Sequence, residues 1–138
     1  MMAGAGAAPG RRDPWLTWLV VAIAFHSLAV GIVVVAAPAW GARFGGWGEV
    51  TPLFFLRQFG VFHFVVAAAY LIEYFRYGGV TILVTAKAIA VVSLLDALFR
   101  FGGPWAVPMA AAGDAAMGIA VWWRAKTGAQ GHRGTGAA

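Results

Sequence analysis

Residues 15–37 read WLTWLVVAIAFHSLAVGIVVVAA, 23 consecutive residues without an Asp, Glu, Lys or Arg. A helix rising ~1.5 Å per residue needs ~20 apolar residues to cross a hydrocarbon core ~30 Å thick, so this stretch is long enough to span a bilayer. It is too long for the apolar region of a secretory signal, which runs ~7–15 residues, and the pair Arg11 and Arg12 lacks the surroundings of a twin-arginine signal; a retained helix is expected. Three further stretches of comparable length and character follow, 52–75, 80–101 and 105–123. Their apolar runs are continuous, as lipid-facing strands cannot be, which predicts helices rather than a barrel.

The whole chain agrees with that reading. It is 62% hydrophobic and 11% charged, with a mean hydropathy of +0.79, whereas soluble domains carry about 25% charged residues. The expected fold is all-α, one integral membrane domain over 14–124, arranged as an up-down four-helix bundle. Residues 1–13 and 125–138, rich in Gly and Ala and without an apolar period, are expected to be disordered tails, the second of them basic.

Cysteine is absent, which removes disulfides, thiolate metal sites and thiol catalysis and leaves histidine and carboxylates as the strong ligands. The net charge of +5 points to membrane orientation and not to nucleic acid, because Arg11, Arg12, Arg124, Lys126 and Arg133 lie beside span ends. Arg11, Arg12, Arg76, Arg124, Lys126 and Arg133 fall on one side of the bilayer and Arg43, Arg57 and Arg100 toward the other. The chain is therefore expected to be a multi-pass protein of the cell membrane with both termini cytoplasmic.

The connections define the topology. Tyr77-Gly78-Gly79 and Gly102-Gly103-Pro104 are tight turns, which predicts that spans two and three, and then three and four, are antiparallel neighbours. The first connection, 38–51, is the longest. Trp40, Phe44 and Trp47 among its four glycines suit a segment lying at headgroup level.

Ionisable side chains inside the spans are the functional candidates, since each is costly at membrane depth. His26 and His63 each stand 11 residues into their spans, and Asp114 lies near the middle of the fourth. Small-residue stripes mark where helices approach in lipid: Ala22, Ala29 and Ala36 in span one, Gly60 and Ala67 in span two, Ala86, Ala90, Ser93 and Ala97 in span three, and Ala110, Gly113 and Gly118 in span four. Counted from the turn at Gly103, Lys87 and Asp114 differ in height by about 7–8 Å, a gap that a lysine side chain bridges. Pairing would neutralise both groups. Counted from Tyr77, Arg57 and Asp96 reach nearly the same height, and Arg100 stands one turn after Asp96, so a structural ion pair of Arg57, Asp96 and Arg100 is expected near the bilayer edge. Glu73 and Arg76, three apart at the opposite interface, are expected to pair locally or to snorkel.

Two readings of the middle layer stay open. In one, the histidines are neutral and bonded to a hydroxyl or carbonyl. In the other, His26, His63, Lys87 and Asp114 form a site for an apolar cofactor or substrate, a quinone, haem b or lipid, with the histidines as axial ligands in the haem case. Phe25, Phe59, Phe62, Phe64 and Tyr70 would line the pocket. Metal binding by His26, His63 and Asp114 has suitable donors but no clustered spacing, and no Gly-x-Ser-x-Gly elbow is present for hydrolysis.

The stretch Phe55-Leu56-Arg57-Gln58-Phe59-Gly60, followed by Tyr70-Leu71 and a last span bearing Asp114, resembles the small four-span bacterial membrane proteins grouped around the DoxX-like family. The likeness covers residues 15–124; Arg57 and Gly60 stand in the second span here and in the first in a typical member. The resemblance implies a four-helix bundle and, in some members, a subunit of a quinone-linked oxidoreductase. The residues themselves point to a small membrane protein that serves as an accessory or assembly subunit, in contact with other membrane subunits or a second copy. The alternative is a binding protein or enzyme for an apolar ligand. Proton or ion transport through the polar layer is a third reading and needs an oligomer.

Overall fold

The structure, a computed structural model, describes residues 13–131, with side chains to residue 128. It is helical throughout apart from the connections: α1 (Pro14–Ala36), α2 (Pro38–Phe44), α3 (Leu53–Ile72), α4 (Thr81–Phe101) and α5 (Ala106–Gly131). A π-helical turn, Glu73–Tyr77, extends α3. Four of these helices are long and apolar enough to cross a membrane. The expected all-α bundle is what forms, and α2 is a short extra helix within the connection read as an interfacial segment. The last helix continues past Arg124 to Gly131, into the stretch expected to be a tail; residues 1–12 and 132–138 lie outside the described residues.

Local chemistry sets the helix ends. Asp13 caps α1, its carboxylate accepting from the Trp15 amide at 3.1 Å, and Pro14 occupies the first helical position, where a missing N–H costs nothing. Pro38 closes α1 and opens α2. At the turn between α3 and α4, Gly78 takes a left-handed conformation, φ +70°, which an L side chain resists. Glu73 then reaches over it, and its two oxygens accept the amides of Thr81 and Ile82, each at 2.8 Å. A carboxylate there satisfies two orphan donors and complements the positive end of the α4 dipole. The expected local pair of Glu73 with Arg76 is thus replaced by a helix cap. The amides offer directed partners at a fixed distance, and Arg76 instead lies 6.0 Å over the Tyr77 ring.

The spans run alternately up and down, but their packing is uneven. The most extensive contacts join α1 to α3 and α4 to α5, while α1 with α5 and α3 with α4 touch less. The tight turn after Tyr77 therefore does not make α3 and α4 the closest pair. The reason sits in two glycines. A Cβ on Gly31 would fall 2.6 Å from the Phe64 ring and 2.8 Å from the Gly60 carbonyl oxygen, and one on Gly60 would fall 2.9 Å from the Gly31 oxygen. With no side chain at either position, α1 and α3 cross backbone to backbone, the contact that replaces hydrophobic driving force between helices in lipid.

The buried stripe of α1 is Val20, Ile23, Ala24, Ser27 and Gly31, not Ala22, Ala29 and Ala36; of those, Ala22 and Ala36 face out. Gly60 and Ala67 of α3 are buried as expected. The main apolar cluster, Val20, Ile23, Tyr70, Tyr74, Leu83 and Val121, lies toward the end of the bundle where α1 begins and α5 ends. At that end Arg124 pairs with Asp13, Nε to Oδ2 at 2.7 Å, tying the first span to the last, and the Thr17 and Tyr74 hydroxyls meet at 2.7 Å. At the opposite end α2 covers the start of α5: the Trp105 indole donates to the Phe44 carbonyl at 3.1 Å. All seven tryptophans are exposed, with Trp15, Trp18, Trp122 and Trp123 at one end and Trp40, Trp47 and Trp105 at the other, the two belts expected at membrane interfaces.

Candidate functional site

Lys87 of α4 and Asp114 of α5 meet between their helices, Nζ donating to Oδ1 at 2.5 Å. Their side chains are 9% and 17% exposed, so each charge depends on the other for its solvation. Glycine makes the approach feasible. Gly118 lies one turn beyond Asp114, and a Cβ there would come 3.2 Å from the Lys87 Cβ, so the missing side chain leaves room for the lysine stem.

Three further polar side chains bear on this layer, one from α1 and two from α3. His26 of α1 is exposed on the surface of the single chain, yet it lies within electrostatic reach of Lys87, Asp114 and His63. His63 of α3 is half-buried. Its Nδ1 lies 2.9 Å from the Phe59 carbonyl oxygen, which can only accept, so Nδ1 carries the proton and Nε2 is the nitrogen left for another partner. The Phe59 ring meets the imidazole edge-on, centroids 4.4 Å apart. Tyr70, 3% exposed, lies within electrostatic reach of Asp114. Its ring belongs to the main apolar cluster, in keeping with the apolar lining expected of it.

The remaining candidates lie apart. Asp96 pairs with Arg100, Oδ1 to Nε at 2.6 Å, with both side chains more than half exposed. Arg57, expected to share that pair, stands exposed on α3 and among the described residues makes no ion pair. Equal height is not enough, because α3 and α4 touch little along their length. The aromatic lining also stays open: Phe25, Phe59 and Phe62 are exposed and Phe64 packs on Gly31. A shallow open pocket of about 170 Å³ lies at the α2 end, between Arg43, Glu49, Thr51 and Leu53, smaller than the ~300–1,000 Å³ of a drug-sized ligand site.

Chemically, the centre combines a neutralised cation and anion, two imidazoles and a phenol. That set suits holding one polar group of an otherwise apolar molecule, or passing a proton. Among the described residues no three His, Asp or Glu side chains are grouped to hold a metal ion. Comparison with protein-family models, curated proteins and solved structures finds no match.

Proposed function

We propose that this small multi-pass protein is an accessory or assembly subunit of a larger membrane complex, in line with the role implied by its resemblance to DoxX-like proteins. One observation carries the reading. Of the 21 residues of α4, only Leu83 and Lys87 are buried, and the outward side bears Thr85, Ser93, Asp96 and Arg100. Lipid offers no hydrogen bonds to such groups, whereas a neighbouring transmembrane helix does. Among the described residues, most lie in the four candidate spans. We place it in the cell membrane with both termini cytoplasmic, which the excess of Lys and Arg on the terminal side supports. Extraction into a mild detergent or lipid nanodisc should give a stoichiometric particle heavier than the 14.5 kDa chain. A stable particle of one chain alone would overturn the reading.

A second reading is favoured by His26, which is exposed on the outer face of α1 yet electrostatically close to Lys87 and Asp114. In this reading a quinone, haem b or lipid headgroup is held at His26 from the lipid side. An absorption spectrum and extract mass spectrometry of the purified protein test it. A chromophore or extracted molecule lost in His26→Ala and His63→Ala supports a ligand, and a ligand-free preparation excludes it.

A further inference from the structure

The outward side of α4 carries a regular seam. Thr85, Ile89, Val92, Asp96 and Phe99 are all exposed, and they follow one another at intervals of four, three, four and three residues. This is the heptad spacing with which two helices pack in the left-handed sense common in membrane bundles. The seam lies opposite the face that holds Leu83 and Lys87, and Ile89, Val92 and Phe99 are 61%, 68% and 83% exposed. Lipid contact requires apolarity and no period, and it gains nothing from an aspartate. Asp96 lies five residues inside the end of α4, about 7.5 Å. Its contact with Arg100 uses one carboxylate oxygen and the Nε of the guanidinium, while the second oxygen and the two terminal nitrogens have capacity left.

We propose that a second copy of this chain packs on this face, α4 against α4 about a two-fold axis along the membrane normal, with Asp96 and Arg100 bridging the two copies. This rests on the subunit reading and names the partner. Copies inserted in the same orientation meet in parallel, so equal residues stand at equal height and the interface is isologous. Arg100 starts about 6 Å above Asp96, and helical side chains lean toward the N-terminus, so its guanidinium comes down to the level of either carboxylate. A helix that presents an anion and a cation one turn apart at this height engages both the second oxygen of Asp96 and the terminal nitrogens of Arg100. The seam itself presents them, and its two charges cancel, so two copies do not repel.

The chain has no cysteine, so single cysteines report the contact directly. In native membranes under mild oxidation, Val92→Cys and Phe99→Cys should give disulfide-linked dimers, whereas Val65→Cys on α3 and Ile119→Cys on α5, 58% and 63% exposed, should not. These variants keep both charges and so test the seam without perturbing it. In the Val92→Cys background, Asp96→Arg alone and Arg100→Asp alone should each reduce the dimer several-fold, and their co-expression with different tags should restore it as a mixed dimer. Seam cysteines that link no better than the controls, in a particle still heavier than one chain, overturn the second copy while leaving the subunit reading intact. A particle of one chain overturns both. Efficient linking that neither charge reversal changes overturns the bridging by Asp96 and Arg100.

Discussion

Lys87 and Asp114, 27 residues apart in sequence, meet at 2.5 Å between α4 and α5. Their side chains are 9% and 17% exposed. Because each is largely enclosed, neither is tolerated alone. Asp114→Asn, which leaves the ammonium without a counter-charge, should destabilise the bundle by about 3–5 kcal/mol. Lys87→Met combined with Asp114→Leu should recover most of that loss, since an apolar pair of similar volume needs no partner. Unfolding by SDS titration of the purified protein measures both. A double variant no more stable than Asp114→Asn would show that the pair is not the cause.

Glu73 makes a second, separable prediction. Its carboxylate holds the first two amides of α4, so Glu73→Ala should cost about 0.5–2 kcal/mol, the range for lost N-caps. Hydrogen exchange at Thr81 and Ile82 should accelerate while the amides of α1 stay protected. Acceleration spread evenly over the bundle would mean a global loss and not an unlatched turn.

Asp13 combines a cap with a link between the ends of the chain. Asp13→Ala removes both the Trp15 contact and the ion pair with Arg124, whereas Arg124→Gln removes only the pair. Arg124 is 40% exposed, and screened pairs of this kind contribute about 0–1 kcal/mol. The expected order is a loss of about 1–2 kcal/mol for Asp13→Ala and a smaller, salt-sensitive loss for Arg124→Gln, read by the same titration at low and high ionic strength. Equal losses would assign the whole effect to the pair.

Legibility in the sequence followed the range of each interaction. Span length and continuous apolarity identified four helices, and counting from the turn at Gly103 brought Lys87 to Asp114, because a short connection fixes relative height between neighbours. The same counting failed for Arg57 and Asp96. Height was again matched, but azimuth and lateral separation were not, and these depend on where backbones touch. That point is Gly31 against Gly60, two residues separated by the longest connection; Gly31 is the one glycine of its span, but a small residue marks a possible approach without naming the helix it meets. Asp13 with Arg124 was hidden for the same reason, since closing the ring of helices is a property of all four together. Glu73 was misread because a carboxylate eight residues ahead of a helix start has no sequence signature as a cap.

The crossing of α1 and α3 gives the last prediction. Gly31→Ala and Gly60→Ala each place a Cβ within 3 Å of the facing helix, in both cases of backbone oxygen, so neither is relieved by a rotamer change. Each should cost about 1–3 kcal/mol, the range for overpacked interiors. The two should not add, because a pair of helices pushed apart by the first Cβ already has room for the second. Gly113→Ala, at a position where a Cβ meets nothing within 4 Å, is the control and should be neutral or slightly stabilising, since alanine is the better helix former. Stabilities of the two single variants, the double variant and the control, measured together, decide the matter. Additive losses at Gly31 and Gly60 would mean that the two glycines act at separate contacts and that the backbones do not meet there.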